Sequence, residues 1–156
     1  MPVTKELTKL CTFLVKAKKA TYASQGEANE NFLDDGAKEF TYEEGIFKYQ
    51  DRYYGFNPFA GGEVVWNNGK FFWAMNYYGR IVDASVSPKE IYAFLKKALR
   101  RVEKELPYRG PVRFKEGKFE YFNKSEGSID EFVGEEIIRY NRKGIYKLHY
   151  HGGSVK

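Results

Sequence analysis

A chain with a single cysteine, Cys11, cannot build an intramolecular disulfide framework or a thiolate-clustered zinc site. Long hydrophobic runs are missing too, since none approaches the roughly 18 residues that a membrane span needs. The opening residues Met1-Pro2-Val3-Thr4-Lys5-Glu6 lack the basic-then-apolar layout of a secretory signal, which makes the cytoplasm the expected compartment. No serine sits in a G-x-S-x-G turn, and no phosphate-cradling glycine loop precedes a helix. Nucleophilic catalysis therefore has no motif, no cofactor is implied, and no catalytic residue is assigned.

What is present points to one packed domain spanning residues 1–156. Hydrophobic residues make up 42% and aromatics 18% of the chain, too much apolar surface for a disordered segment. The 26 basic and 21 acidic residues leave a formal charge of +5. Two stretches carry helical periodicity. In the first, Leu7, Leu10, Cys11, Leu14 and Ala17 share a face behind an N-cap at Thr4, with Glu6 in the first turn. The second opens with Ser87 at N-cap, Pro88 at N1 and Glu90 at N3. Its stripe of Ile91, Phe94, Leu95, Ala98, Leu99 and Val102 predicts a helix over 88–104, closed off by Pro107.

Elsewhere the pattern is strands and tight turns. Glu44-Gly45, Asn68-Gly69, Glu116-Gly117 and Lys143-Gly144 each place a glycine in the second turn position, ahead of aromatic and β-branched residues. Four hairpins at irregular spacing predict an α+β fold: an antiparallel sheet of about six to eight strands, a hairpin meander, with two helices packed on one face. The polar stretch 25–38 is expected to be a long loop or ordered insert. A two-residue turn at Asn68-Gly69 pairs Trp66 with Phe71, Val65 with Phe72, Val64 with Trp73 and Glu63 with Ala74. That register puts Val64, Trp66, Phe71, Trp73, Met75 and Tyr77 under the helices, and Glu63, Val65, Phe72, Asn76 and Tyr78 on a face suited to line a cleft. At Glu44-Gly45, Tyr42 should face Phe47 and Phe40 should face Tyr49, on an aromatic face that also holds Asp51 and Tyr53. At Glu116-Gly117, Phe114 should face Phe119, and Arg113 should pair with Glu120.

The run Phe47-Lys48-Tyr49-Gln50-Asp51-Arg52-Tyr53-Tyr54-Gly55-Phe56-Asn57-Pro58-Phe59 leads into Gly62-Glu63-Val64-Val65-Trp66. Together with Trp73-Ala74-Met75-Asn76-Tyr77-Tyr78-Gly79, Pro107-Tyr108-Arg109-Gly110-Pro111 and Tyr150-His151-Gly152-Gly153, it resembles a prokaryotic domain-of-unknown-function family. Members of that family occur alone or behind helix-turn-helix domains of the XRE regulator type. The resemblance implies a cytoplasmic domain that can sit where a regulator keeps its sensor module, and it carries no residue roles.

Three constellations are candidates for function. The first is polar: Asp51, Arg52, Glu63, Asn76 and Arg109, with Trp73, Tyr77 and Tyr78 nearby. Aromatic walls with a few placed polar groups are the usual form of a small-molecule or partner site. Arg109 between Pro107 and Pro111 is a stiffly presented guanidinium. Because the two faces of the central hairpin cannot line one cleft, this set must divide. An ion-pair network of Arg52, Glu63 and Arg109 is the structural alternative. The second is the basic face of helix 88–104, where Lys96, Arg100 and Lys104 recur at four-residue steps, a pattern compatible with nucleic acid or with simple solvation. The third is His149-x-His151 with Glu136, two imidazoles and a carboxylate that suit a zinc or non-haem iron enzyme if a turn at Lys143-Gly144 aligns them. Oligomeric state is not encoded in any of these patterns.

Overall fold

The computed structural model describes residues 4–24 and 29–156. The elements run α1 (Lys5–Ala20), β1 (Asn31–Phe32), β2 (Lys38–Glu44), β3 (Phe47–Gly55), β4 (Phe59–Asn67), β5 (Lys70–Ile81), α2 (Pro88–Leu99), β6 (Arg113–Glu116), β7 (Phe119–Ser128), β8 (Glu131–Tyr140) and β9 (Lys143–Ser154). The nine strands among the described residues form one antiparallel sheet in the order β1-β2-β3-β4-β5-β9-β8-β7-β6. The strand count exceeds the expected six to eight because the four hairpins supply eight strands and the two-residue β1, from the stretch expected to be a loop, adds a ninth at one edge. Residues 25–28 of that expected loop lie outside the described residues.

Both helices begin where their caps predict. Thr4 Oγ1 accepts from the Leu7 amide (3.3 Å), and Ser87 Oγ accepts from the Glu90 amide (3.3 Å) while donating to its carboxylate. Each helix lays its stripe on the same sheet face. Phe13 of α1 meets Tyr42 and Phe47, and Phe94 of α2 stacks between Phe114 and Phe119. The expected extension of the second helix to residue 104 is corrected. Regular helix stops at Leu99, and the amides of Arg101 and Val102 bond three residues back, tightening the chain into a turn. Arg100, the helical C-cap whose amide bonds to the Lys96 carbonyl, ends the basic row, and Lys104 lies outside it.

The turns explain which register expectations survive. Asn68 and Gly69 both take positive φ, the two-residue type I′ turn expected there. In the β2–β3 and β6–β7 hairpins the glycine leads the turn instead. Gly45 and Gly117 (φ about 60°) take its first central position, followed by Ile46 and Lys118, as a type II′ turn requires. A one-residue displacement of a turn moves the register by two, so partners change while faces do not. Tyr42 thus pairs with Tyr49, Phe40 with Asp51 and Phe114 with Tyr121. Phe40, Tyr42, Phe47, Tyr49, Asp51 and Tyr53 still share one face. Arg113 still reaches Glu120, diagonally, at 2.8 Å.

Two β-bulges do change faces. Between Val65 and Trp66 the β4–β5 register slips by one, leaving Phe72 as the extra residue; beyond it Val65 pairs with Trp73 and Glu63 with Met75. Glu63, Val65, Trp73, Met75 and Tyr77 then lie together on the helix-covered face, correcting the expected division. The last hairpin turns at Asn141-Arg142, both at positive φ, rather than at Lys143-Gly144, and a bulge follows at Ile138/Arg139. The core is one cluster between the helices and this inner face. Its centre is Trp73, whose indole donates to the Ile129 carbonyl (3.0 Å) and whose ring stacks on Phe132.

Candidate functional site

An inner face made only of rings and aliphatics would be an ordinary core, but this one carries five charged side chains with almost no solvent contact: Lys18, Asp51, Glu63, Arg109 and Glu136. Burying ions is costly unless each is paired and its hydrogen-bonding capacity is used. How each meets that demand defines the site.

Arg109 reaches the core from the segment Pro107–Pro111. The Gly110 amide donates to Tyr121 Oη (2.9 Å), and Asn123 Nδ2 donates to the Gly110 carbonyl (2.9 Å), pinning the loop to β7. A side chain at 110 would run into the Tyr121 ring, 2.7 Å from where its Cβ would stand, so glycine is required for this approach. Arg109 Nε and Nη2 then form a bidentate pair with Glu136 (3.1 and 2.9 Å). Tyr121 Oη (2.5 Å) and Tyr146 Oη (2.9 Å) also donate to Glu136, so its carboxylate accepts four hydrogen bonds and is saturated. Burial works against the guanidinium's charge, but Glu136 and the surrounding tyrosines raise its pKa well above the ordinary value.

Lys18 is the partner of Glu63. Its Nζ donates to both carboxylate oxygens (2.8 and 3.1 Å) and to the Tyr108 carbonyl (2.5 Å), using its three protons. Burial presses its pKa down, and Glu63 opposes that pressure. Asp51 lies on β3 directly across from Glu63. Tyr77 donates to Asp51 Oδ1 (2.6 Å), and no other group among the described residues donates to this carboxyl. Desolvation, then the Glu63 charge, push its pKa up to about 7, against the pull of the Tyr77 bond, Lys18 and Arg109. Around it the hydroxyls of Tyr22 and Tyr49 are buried without hydrogen-bond partners among the described residues, although Tyr49 lies near Glu63. Burial raises the pKa of Tyr22, Tyr49 and Tyr77 well above the usual phenol value, so each stays a potential donor at neutral pH.

This under-satisfied end opens into a cavity of about 330 Å³. Asp51 and Arg109 are among its polar lining; Tyr22, Phe40, Tyr53, Phe59, Tyr77 and Tyr92 contribute rings. Leu95 and Leu99 of α2 add aliphatic wall, and Glu30, Lys38, Gly55, Phe56 and Lys96 complete the lining. Gly61 sits beneath: a Cβ there would lie 2.5 Å from both Tyr77 Oη and the Arg52 carbonyl, so the hydroxyl that holds Asp51 depends on this glycine. A larger hollow of about 590 Å³ lies between the turns near Glu43, Lys48, Trp66 and Asn68. It has no buried ionisable group, and we place the chemistry at the smaller one.

The structure divides the sequence-derived set. Glu63, Trp73, Tyr77 and Arg109 are on the inner face or under it, and of these Tyr77 and Arg109 line the cavity. Arg52, Asn76 and Tyr78 are exposed on the opposite face, where Arg52 pairs with Glu39 (2.6 Å). His149 and His151 are also exposed there, paired across strands with Glu135 and Val133, while Glu136 points inward to Arg109. The bulge and displaced turn separate the three expected ligands, and no group of three or more metal-ligating side chains occurs among the described residues. On the basic segment, Lys97 pairs with Glu116 (2.6 Å) and Arg101 lies over the Phe114 ring. Lys18 and Tyr22 were not singled out from sequence, although the steps 7, 11, 14, 18 and 22 continue the apolar stripe onto both.

A family model described as Domain of unknown function (DUF5680) matches residues 51–155, more than half of the chain, and the chain belongs to that family. No curated protein and no solved structure matches it. No helix among the described residues is long and apolar enough to cross a membrane.

Proposed function

We propose that this domain is a small-molecule-binding module, with the Asp51–Arg109 cavity as its binding site. The observation that carries the reading is the contrast within one buried network: every other ion there is held in a salt bridge, and the one that is not lines the cavity. Aromatic walls, a few convergent polar groups and a carboxyl displaced toward neutrality are the features expected of a ligand site. The resemblance to domains found behind XRE-type helix-turn-helix units gives such a pocket a natural role as a sensor. Cytoplasmic localisation is part of this reading.

A fragment screen followed by protein NMR tests it. Hits should shift the amide signals of Asp51, Tyr77 and Tyr92 and leave those of Asn76 and Tyr78 on the opposite face unmoved. Shifts confined to the exposed face, or none anywhere, would overturn the proposal.

The titration of Asp51 near neutrality favours one further reading, proton exchange with a bound ligand. It requires that a fragment seated in the cavity exchange an activated C–H for deuterium faster with the native protein than with Asp51→Asn. Equal rates would leave binding alone.

A further inference from the structure

The binding reading leaves the ligand's charge open, and the buried ions bear on it. Lys18 is neutralised by Glu63, and Arg109 by Glu136. Asp51 is the fifth ion: it is 2% exposed, forms no salt bridge among the described residues, and has one oxygen, Oδ2, that accepts no hydrogen bond there. The network thus holds three acids against two bases, and the unmatched acid is the one lining the cavity. Resting on the proposed binding site, we infer that the cavity takes a small organic cation, an amine whose N–H donates to Asp51 Oδ2 and whose apolar body packs against Tyr22, Tyr53, Phe59, Tyr77 and Tyr92.

The walls suit that occupant. The faces of tyrosine and phenylalanine rings attract a cation, and more strongly where water is displaced. This interior already uses such contacts, with Lys18 Nζ 5.9 Å from the centroids of both Tyr22 and Trp73, and the Arg109 guanidinium 5.5 Å from that of Tyr77. Lys38 and Lys96 also line the cavity and oppose a cation. Both are partly exposed, so solvent and salt screen them, and Glu30 lies among the same lining residues. Asp51 is almost wholly out of water, where a charge-assisted hydrogen bond gains most.

The test is a charge series on one body: benzylamine, benzamide and benzoate titrated into the full chain by NMR at about pH 8, above the Asp51 midpoint. Benzylamine should bind at least about tenfold more tightly than benzoate, and Asp51→Asn should weaken benzylamine by about tenfold and benzamide by clearly less. Asn keeps the shape of the side chain and removes a charge the fold disfavours, so the variant should fold; an unchanged melting temperature or a higher one verifies it. Benzoate or benzamide binding in the cavity as tightly as benzylamine would overturn the charge assignment and leave the pocket standing. Silence from all three probes, together with an empty fragment screen, would overturn the pocket and this inference with it.

Discussion

Glu136 and Asp51 sit on the same sheet face, both buried and both surrounded by tyrosines, yet they are opposites. Glu136 accepts four hydrogen bonds, two from Arg109 and one each from Tyr121 and Tyr146. Asp51 accepts one, from Tyr77, among hydroxyls at Tyr22 and Tyr49 that have no partner among the described residues. The first arrangement is closed: it fixes the loop that carries Arg109 and leaves nothing over for a ligand. The second is open, and its carboxyl is driven up to about 7 mainly because desolvation is not compensated. A buried polar cluster can therefore serve architecture at one end and recognition at the other, and hydrogen-bond satisfaction tells them apart.

The largest expected effect lies at the closed end. Arg109→Ala strands the Glu136 carboxylate with only tyrosine donors and should cost about 3–5 kcal/mol in chemical denaturation. A loss below about 1 kcal/mol would mean that the pair is not structural. At the open end the signature is pH. The folded-state pKa of Asp51 is raised above its unfolded value near 4, so the native chain holds more protons between about pH 4 and 7, and stability falls as pH rises through that window. Its contribution to the slope is at most about 1.4 kcal/mol per pH unit, and Asp51→Asn should remove it. An identical slope in the variant would contradict the assignment.

Smaller effects sharpen the contrast. Gly61→Ala crowds the Tyr77 hydroxyl and the Arg52 carbonyl, and overpacking of this kind costs about 1–3 kcal/mol. It should also lift the Asp51 midpoint, because the Tyr77 hydrogen bond is the largest influence that lowers it; an unmoved midpoint would show that this bond does not set the midpoint. Smallest of all, Arg52→Ala removes an exposed ion pair on the other face and should leave the denaturation midpoint and the cavity's NMR signals unchanged. A perturbed cavity would show that the two sheet faces are coupled.

Helix starts, sheet class and the aromatic face of β3 were legible because caps, periodicity and turn residues act locally. The faces of β4 were not, because the bulge at Val65/Trp66 depends on how the hairpin packs, and one extra residue turns Glu63 and Val65 to the side of Trp73, Met75 and Tyr77. The same physics misaligned the histidines: a turn at Asn141-Arg142 places arginine at positive φ, where the glycine signal at 144 draws the expectation two residues too far along. Arg109 was recognisable as a stiffly held cation between prolines, but its partner came from β8 and no spacing in the sequence joins them. Lys18 was legible in principle. It falls on the next step of the α1 stripe, and a lysine on an apolar stripe requires a buried acid to answer it.

The central claim is that Asp51 is a buried acid left without sufficient partners. Carbon-detected NMR of its carboxyl as a function of pH, with the signal assigned by its disappearance in Asp51→Asn, measures this directly. The account predicts a midpoint near 7. A midpoint near 4, the ordinary aspartate value, would mean that the carboxyl is already satisfied and that the cavity holds no acid in need of a ligand.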